Sequence, residues 1–120
     1  MDVGTVLVVD DSPTDLHLLN GYLESNGYTT INASSGEEAI QMASAEHPDL
    51  ILMDVVMPGM NGFQATRSLS RNPETRDIPV IVVTSKSQET DKIWAMRQGA
   101  RDFVSKPVDE KTLIGLIRNL

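Results

Sequence analysis

The sequence predicts an α/β fold in which five strands and five helices alternate around a doubly wound parallel sheet. Continuous apolar runs rich in β-branched residues, such as Thr5–Val9 and residues 79–83, are typical of strands buried on both faces. Each run is followed by a segment that carries apolar residues at helical spacing. Because strand and helix alternate strictly, we expect a parallel sheet with helices on both of its faces.

The first two strand–helix units follow from local start and stop signals. Ser12 precedes a proline and can cap a first helix that runs to about Asn26. Residues 29–32 form a weaker second strand, and Ser35 with Glu38 has the spacing of a capping box that opens helix two. The residues predicted to face the core from these two helices are Leu16, Leu19, Leu23, Ala39, Ile40 and Ala43.

Units three to five carry similar signals. Leu50–Met53 is the third strand, and a proline–glycine turn separates it from a helix that begins near Gly62. Ser87 can cap the helix after the fourth strand, Asp102–Ser105 is a short fifth strand, and Asp109 can cap the last helix. The apolar residues on one face of that last helix are Leu113, Leu116, Ile117 and Leu120.

Length and composition predict one domain over residues 1–120, and we expect no output domain. The net charge of -7 argues against direct binding to nucleic acid or to anionic lipid, because both would repel the surface as a whole. The chain has no cysteine, no apolar run long enough to cross a membrane and no signal-peptide pattern at its start. We therefore expect a cytoplasmic protein without membrane insertion, and we expect a monomer.

Polar residues follow four of the predicted strands. Asp10 and Asp11 follow strand one, Asp54 follows strand three, Thr84 closes strand four and Lys106 follows strand five. In open parallel sheets, ligands bind beyond the carboxyl ends of the strands, where the strand order reverses. We therefore expect these five side chains to meet at one edge of the sheet.

The three acids of this group predict a divalent cation. Two carboxylates about 4 Å apart repel by roughly 4 kcal/mol at an effective dielectric constant of 20, so such a cluster is costly without a cation. All-oxygen ligands with open positions suit Mg2+, and we expect Mn2+ to substitute. A carboxylate can also act as the nucleophile in phosphoryl transfer, and Asp54 is the central candidate. Lys106 would neutralise the phosphoryl oxygens, and the Thr84 hydroxyl would donate a hydrogen bond to one of them.

Four segments, VLVVDDS, LILMDVVMPGMNGF, VIVVTSK and DFVSKP, resemble the motifs of response-regulator receiver domains of bacterial two-component systems. The resemblance spans essentially the whole chain. It implies a flavodoxin-like sheet with strand order 2-1-3-4-5, a fold for which a chemotaxis regulator of this family is a standard example. It also implies that Asp54 accepts a phosphoryl group from a histidine kinase or a phosphotransfer domain. Such a domain is not an enzyme with a separate substrate, and only self-catalysed phosphorylation and dephosphorylation are expected.

The same resemblance implies the ligands of the cation. Asp11, Asp54 and the backbone carbonyl of Val56 would coordinate Mg2+, and Asp10 would act largely through water.

The resemblance also implies a conformational switch. Thr84 and Phe103 match the switch positions of the family, and Pro107 after Lys106 matches its cis-proline. Phosphorylation is expected to draw Thr84 toward the phosphate and to move Phe103 inward, which changes the face formed by helix four, strand five and helix five. Because a modification biases a pre-existing equilibrium, only its different interaction with the two states matters.

A narrower resemblance concerns the biological role. The segments GFQATRSLSRNPET, QETDKIWAMRQGARDF and KPVDEKTL are similar to stand-alone receivers of twitching-motility, type IV pilus chemotaxis systems. This similarity implies a CheA-like histidine kinase as the partner and control of pilus extension or retraction as the output.

Three alternatives remain open from the sequence. A haloacid-dehalogenase-type enzyme also forms an aspartyl-phosphate at a strand end, but it requires a second acid two residues after the nucleophile, where this chain has Val56. The chain can also be a receiver fragment of a longer DNA-binding regulator. Finally, a receiver can act as a phosphate sink that drains a kinase shared with another regulator.

Several residues outside this group are interpreted as structural. We expect Trp94 to be half-buried in the core, with a partner contact as the alternative. We expect His17 and His47 to lie on the surface because neither has a companion at metal-ligand spacing. The three methionines near Asp54 are interpreted as packing residues: Met53, Met57 and Met60.

Overall fold

The computed structural model describes residues 3–85 and 89–120. Within these residues, five strands and five helices alternate along the chain, as predicted. The strands are β1 Thr5–Val9, β2 Thr29–Ala33, β3 Leu50–Met53, β4 Val80–Thr84 and β5 Asp102–Ser105. The helices are α1 Pro13–Ser25, α2 Gly36–Glu46, α3 Gly62–Arg71, α4 Glu89–Arg97 and α5 Glu110–Arg118.

The five strands form one parallel sheet in the order β2-β1-β3-β4-β5. This order confirms the flavodoxin-like arrangement expected from the resemblance to receiver domains. The order reverses at β1, because β2 lies on one side of it and β3 on the other. Val9 and Met53, the last residues of β1 and β3, are partners in the sheet register. The residues that follow these two strands therefore start side by side at the point where ligands bind in such sheets.

Alternate strand residues face two separate layers of helices. On one face, Val6, Val8 and Leu52 pack in a buried cluster with residues of α1 and α5. On the other face, Leu7 and Met53 pack with residues of α2 and α3. Since both faces of the central strands are covered, their side chains are apolar at every position except Thr5 and Thr84, and this is the pattern that predicted the sheet.

The helix caps agree with the sequence in three places and differ in one. The side chains of Ser12, Ser35 and Asp109 each accept a hydrogen bond from a backbone N–H in the first turn of their helix, as predicted. The predicted capping box of α2 is not closed, because the Glu38 carboxylate accepts from the Ser34 N–H at 2.6 Å. Ser87, the predicted cap of α4, lies outside the described residues.

A reciprocal capping box does occur at α3. The Asn61 side chain accepts from the Gln64 N–H, and the Gln64 side chain accepts from the Asn61 N–H, both at 2.9 Å. This box fixes the start of α3 directly after the loop that follows Asp54.

Trp94 on α4 lies outside the core, contrary to the expectation. Its side chain is 49% exposed, and the residue of α4 that is buried against the sheet is Ala95. The prediction of a core position for Trp94 was therefore wrong. A small residue at this contact lets α4 approach Val82 and Val55 closely, which leaves the large apolar residues of α4 at the surface.

Other expectations about individual side chains are confirmed. His17 and His47 are exposed. Met53 and Met57 are buried, and Met60 packs against the same core cluster, so these methionines have the packing role expected of them. No helix in the described part of the chain is both long and apolar enough to span a membrane.

Candidate functional site

Asp10 and Asp54 lie next to each other at the carboxyl edge of the sheet. The Asp54 N–H donates to the Val9 carbonyl at 3.0 Å, and the Asp10 N–H donates to the Ala33 carbonyl at 3.1 Å, so both residues extend the ladders of the strands they follow. Asp10 is 1% exposed and Asp54 is 6% exposed. Two carboxyl groups are thus held in a largely buried position by backbone hydrogen bonds.

Asp11 completes a group of three acids that fits a divalent cation. Asp10, Asp11 and Asp54 each offer one oxygen, and these oxygens lie within 4.8 Å of one another. Asp11 is exposed, so the group is open to solvent on one side. An all-oxygen set of this kind, with room for waters, has the donor chemistry that Mg2+ prefers.

The two oxygens of Asp10 already have hydrogen-bond partners in the protein. Oδ1 accepts from the Ser12 N–H at 3.0 Å, and Oδ2 accepts from Lys106 Nζ at 2.7 Å. A cation at this site would therefore find fewer free lone pairs on Asp10 than on the exposed carboxylate of Asp11.

Lys106 brings a positive charge into the acid group. Its backbone N–H donates to the Thr84 carbonyl at 2.8 Å, which fixes the residue beyond the end of β5, and the peptide bond that joins it to Pro107 is cis. Its Nζ lies 2.7 Å from Asp10 Oδ2, 2.9 Å from Asp15 Oδ2 and 3.5 Å from Asp54 Oδ1. The side chain is only 17% exposed, so these charges interact with limited screening.

The electrostatics of the site oppose ionisation of Asp54. Burial, and after it the charge of Asp10, raise the pKa of Asp54 to about 6, although Lys106 and the Val55 N–H act in the opposite direction. Burial alone would lower the pKa of Lys106, but hydrogen bonds to Asp10 and Asp15 and the charge of Asp54 outweigh it and raise that pKa. Lys106 is therefore a permanent cation, and Asp54 is a carboxyl group that a further cation would help to ionise.

The loop between β3 and α3 is held in place behind Asp54. The Gly62 N–H donates to the Val55 carbonyl at 3.0 Å, and the Met60 N–H donates to Glu37 Oε1 at 3.1 Å. A Cβ atom at Gly62 would overlap the backbone carbonyl of Asp54. Val56, two residues after Asp54, is 55% exposed.

The two predicted switch residues lie on neighbouring strands. Thr84 ends β4 and is fully buried. Phe103 pairs with Val82 in the register of β4 and β5, and its partly buried ring packs against a cluster that also contains Val55 and Ala95. Phe103 therefore packs against the small cluster that contains Val55, the residue directly after Asp54.

Two residues of the site were missed by the sequence analysis. Asp15, in the first turn of α1, forms an ion pair with Lys106 although the two residues are 91 positions apart. Gly62 provides the space in which the Asp54 carbonyl lies. A glycine at the start of a helix is a weak hint of close backbone approach, whereas nothing in the spacing of Asp15 indicates its partner.

Comparison with known proteins identifies the class that this fold and site define. Residues 6–118 match the model of the response regulator receiver domain. The chain belongs to the response regulator receiver family.

Individual relatives agree with this assignment. The chain is 54% identical to the protein PilH of Pseudomonas aeruginosa over 112 residues, which cover 93% of each chain. The chemotaxis response regulator CheY4 of Vibrio cholerae superposes with a TM-score of 0.90 at 27% identity, covering 98% of both chains. The receiver domain of a sensor histidine kinase from Pseudomonas aeruginosa, solved with a magnesium ion in its active-site cleft, gives a TM-score of 0.90 at 26% identity and covers 98% of this chain and 97% of its own.

Proposed function

We propose that Asp54 accepts a phosphoryl group from a histidine kinase of the CheA-like kind or from a phosphotransfer domain. The observation that supports this role best is the place of Asp54. It is a buried carboxylate at the switch point of the sheet, it is grouped with Asp10 and Asp11, and its Oδ1 lies 3.5 Å from the Lys106 ammonium. A nucleophilic carboxylate needs such compensating positive charge, because the group that it receives is itself an anion.

The proposed transfer is a substitution at phosphorus. An ionised oxygen of Asp54 forms a bond to phosphorus, the bond from phosphorus to the donor nitrogen breaks, and the released imidazole takes up a proton. Lys106 Nζ donates to a phosphoryl oxygen, and the Thr84 hydroxyl donates to another. Asp11, Asp54 and the Val56 carbonyl would hold Mg2+, which supplies positive charge against the phosphoryl oxygens when bound.

The switch is proposed to run from Thr84 to the surface of α4, β5 and α5. Thr84 lies at the end of β4, and Phe103 lies on the adjacent strand in contact with the Val55 and Ala95 cluster. Movement of Thr84 toward a phosphoryl group would allow Phe103 to move inward. The exposed side chain of Trp94 on α4 provides a reporter for that change.

The test uses a small phosphodonor and a matched pair of variants. With acetyl phosphate and Mg2+, we expect the parent protein to gain one phosphoryl group in intact-mass spectrometry and to change its Trp94 fluorescence. Asp54→Asn should do neither, while Asp77→Asn, which changes an exposed acid in the turn before β4, should behave as the parent. Equal labelling of Asp54→Asn would exclude the proposed role.

The cation can be tested without phosphorylation. A ligand that binds only the folded state at about 100 times its dissociation constant adds roughly 2.7 kcal/mol of stability. We therefore expect saturating Mg2+ to raise the melting temperature of the parent and to leave that of Asp11→Ala almost unchanged, with Mn2+ acting as Mg2+ does. The same rise in both proteins would place the cation elsewhere.

A haloacid-dehalogenase-type reaction is the less favoured alternative. The position two residues after Asp54 is Val56, whose exposed apolar side chain cannot act as a general acid. We expect no turnover of small phosphoesters.

We further propose a role in type IV pilus or twitching-motility signalling. This role is supported by the sequence resemblance and by the 54% identity with PilH. Deletion of the gene in its host, followed by complementation with the parent or with Asp54→Asn, tests it through the twitching zone. An unchanged zone after deletion would remove the proposal.

A further inference from the structure

Asp15 is a charged residue of the site that the proposed reaction does not use. It is the third residue of α1, and its N–H donates to the side chain of the N-cap residue Ser12 at 3.3 Å. Its carboxylate Oδ2 accepts from Lys106 Nζ at 2.9 Å.

An acid at this position of a helix usually serves a different purpose. In a capping box, the third residue accepts from the N–H of the N-cap residue, as Gln64 does for Asn61 in α3. At α1 the N-cap N–H of Ser12 donates to Asp10 Oδ1 instead, at 3.0 Å. The carboxylate of Asp15 is thereby released from the cap and reaches the Lys106 ammonium.

The three distances around Lys106 Nζ are unequal. The distances to Asp10 and Asp15, 2.7 and 2.9 Å, are those of charge-assisted hydrogen bonds, whereas the distance of 3.5 Å to Asp54 is longer than such a bond. Asp10 and Asp15 together hold the ammonium at the side of the acid group, next to Asp54 but not bonded to it.

We propose that Asp15 is a positioning residue that restrains Lys106 and thereby weakens the affinity of the site for a phosphoryl group on Asp54. The proposal rests on the proposed phosphoacceptor function. Lys106 Nζ has three N–H donors, of which Asp10 and Asp15 accept two, so a phosphoryl oxygen can accept the third. To approach that oxygen from its position 3.5 Å from Asp54, the ammonium has to lengthen its hydrogen bond with Asp15. The side chain of Asp15 is 37% exposed, so water can solvate the released carboxylate and the restraint is a modest one.

The size of the effect follows from the partial exposure of the pair. Breaking a partly exposed ion pair changes an equilibrium constant by roughly 1.4-fold to fivefold, and we expect about threefold for the pair of Asp15 and Lys106. Asp15→Asn should therefore bind beryllofluoride, an analogue of the phosphoryl group, about threefold more tightly than the parent at saturating Mg2+. Titration followed by 1H–15N NMR spectra measures this affinity.

Removal of a negative charge would itself favour an anionic ligand, so a double-mutant cycle is needed. In the Lys106→Met background, Asp15→Asn should leave the affinity for beryllofluoride nearly unchanged, because there is no ammonium to restrain. A threefold gain that persisted in this background would identify a general charge effect and overturn the proposal. An affinity of the single variant equal to that of the parent would also overturn it, even if the melting temperature fell as expected for loss of an acid in the first turn of a helix.

The restraint of Lys106 by Asp15 can also be tested without ligand and without the Lys106→Met protein. The 15N signal of the Lys106 ammonium, assigned by its loss in Lys106→Arg, should shift and exchange its hydrogens faster in Asp15→Asn. An unchanged signal would show that Asp15 does not hold Lys106. If the parent bound no beryllofluoride, the proposed phosphoacceptor function and the positioning role would both fail, and the ammonium signal would still report whether the ion pair exists.

Discussion

Replacing Asp54 with asparagine should stabilise the folded protein when no divalent cation is present. The Asp54 carboxyl is almost completely buried, and burial together with the charge of Asp10 raises its pKa to about 6. Compared with the unfolded chain, the folded protein therefore disfavours the ionised form of this side chain, although the carboxyl group is mostly ionised at neutral pH. Asparagine has nearly the same shape, carries no charge, and keeps a carbonyl oxygen that can face Lys106.

The magnitude follows from the change in pKa. A rise from 3.8 to about 6 corresponds to about 3 kcal/mol at roughly 1.36 kcal/mol per pH unit. Because the site is open to water on the side of Asp11, screening reduces this figure, and we expect a gain of about 1–2 kcal/mol. For a domain of this size, such a gain raises the melting temperature by roughly 4–8 °C.

The stability gained by Asp54→Asn should increase as the pH rises. The pKa of Asp54 is higher in the folded state than in the unfolded state, so the folded state binds more protons between about pH 4 and pH 6. The contribution of Asp54 to stability is therefore fully present below about pH 4 and is lost as the pH rises through about 6. The advantage of the asparagine variant should accordingly be small at pH 4, grow across this window and stay constant above it.

Thermal unfolding followed by circular dichroism in EDTA, at pH 4 and at pH 8, measures this difference. Asp77→Asn removes an exposed acid of the same type and should show no such gain. Adding Mg2+ at pH 8 should stabilise the parent more than the Asp54→Asn variant and reduce the gap between them. The reasoning would be refuted if the Asp54→Asn variant were no more stable than the parent at pH 8 in EDTA.

Two further predictions concern the loop that follows Asp54. Gly62→Ala should destabilise the protein by about 1–3 kcal/mol or more and slow labelling by acetyl phosphate, because the new Cβ would displace the Asp54 carbonyl. As a control, Gly21→Ala, where a Cβ meets open space within α1, should stabilise the protein by about 0.5–1 kcal/mol in urea unfolding. Asn61→Ala should lose about 1 kcal/mol, because the Gln64 N–H loses the Asn61 side chain as its acceptor, while the backbone N–H of residue 61 can still donate to Gln64. The same denaturant titration would contradict this cap if the variant unfolded like the parent.

The order of the secondary structure could be predicted because the three central strands, β1, β3 and β4, are almost entirely apolar and are bounded by polar residues, whereas β2 and β5 at the edges are only partly buried. The boundary of β4 is an instructive difference. The predicted apolar run begins at residue 79, whereas β4 is Val80–Thr84 and is closed by Thr84 as predicted. Pro79 has no N–H to donate, although its carbonyl still accepts from the Ile51 N–H at 3.0 Å. A proline thus flanks the strand, and Thr84 belongs to it.

The meeting of Asp10, Asp54 and Lys106 could be predicted because the carboxyl ends of parallel strands share one edge of the sheet. The ion pair between Asp15 and Lys106 could not. Asp15 lies on a helix, where its spacing indicates a cap and not a site residue. Its contact with Lys106 depends on how α1 packs beside the end of β5, and local sequence signals contain no information about that distance.

The acid group lowers the stability of the folded protein, yet the proposed function depends on it. Asp10 and Asp54 lie buried side by side, and their surroundings make ionisation of Asp54 less favourable than in the unfolded chain. The ionised form is nevertheless the one that can bind a cation or attack phosphorus. A neutral side chain at position 54 would fold more stably and would have neither ability. The proposed reaction therefore requires an ionised side chain that lowers the stability of the folded protein. A cation that binds the three acids would restore part of the lost free energy of unfolding.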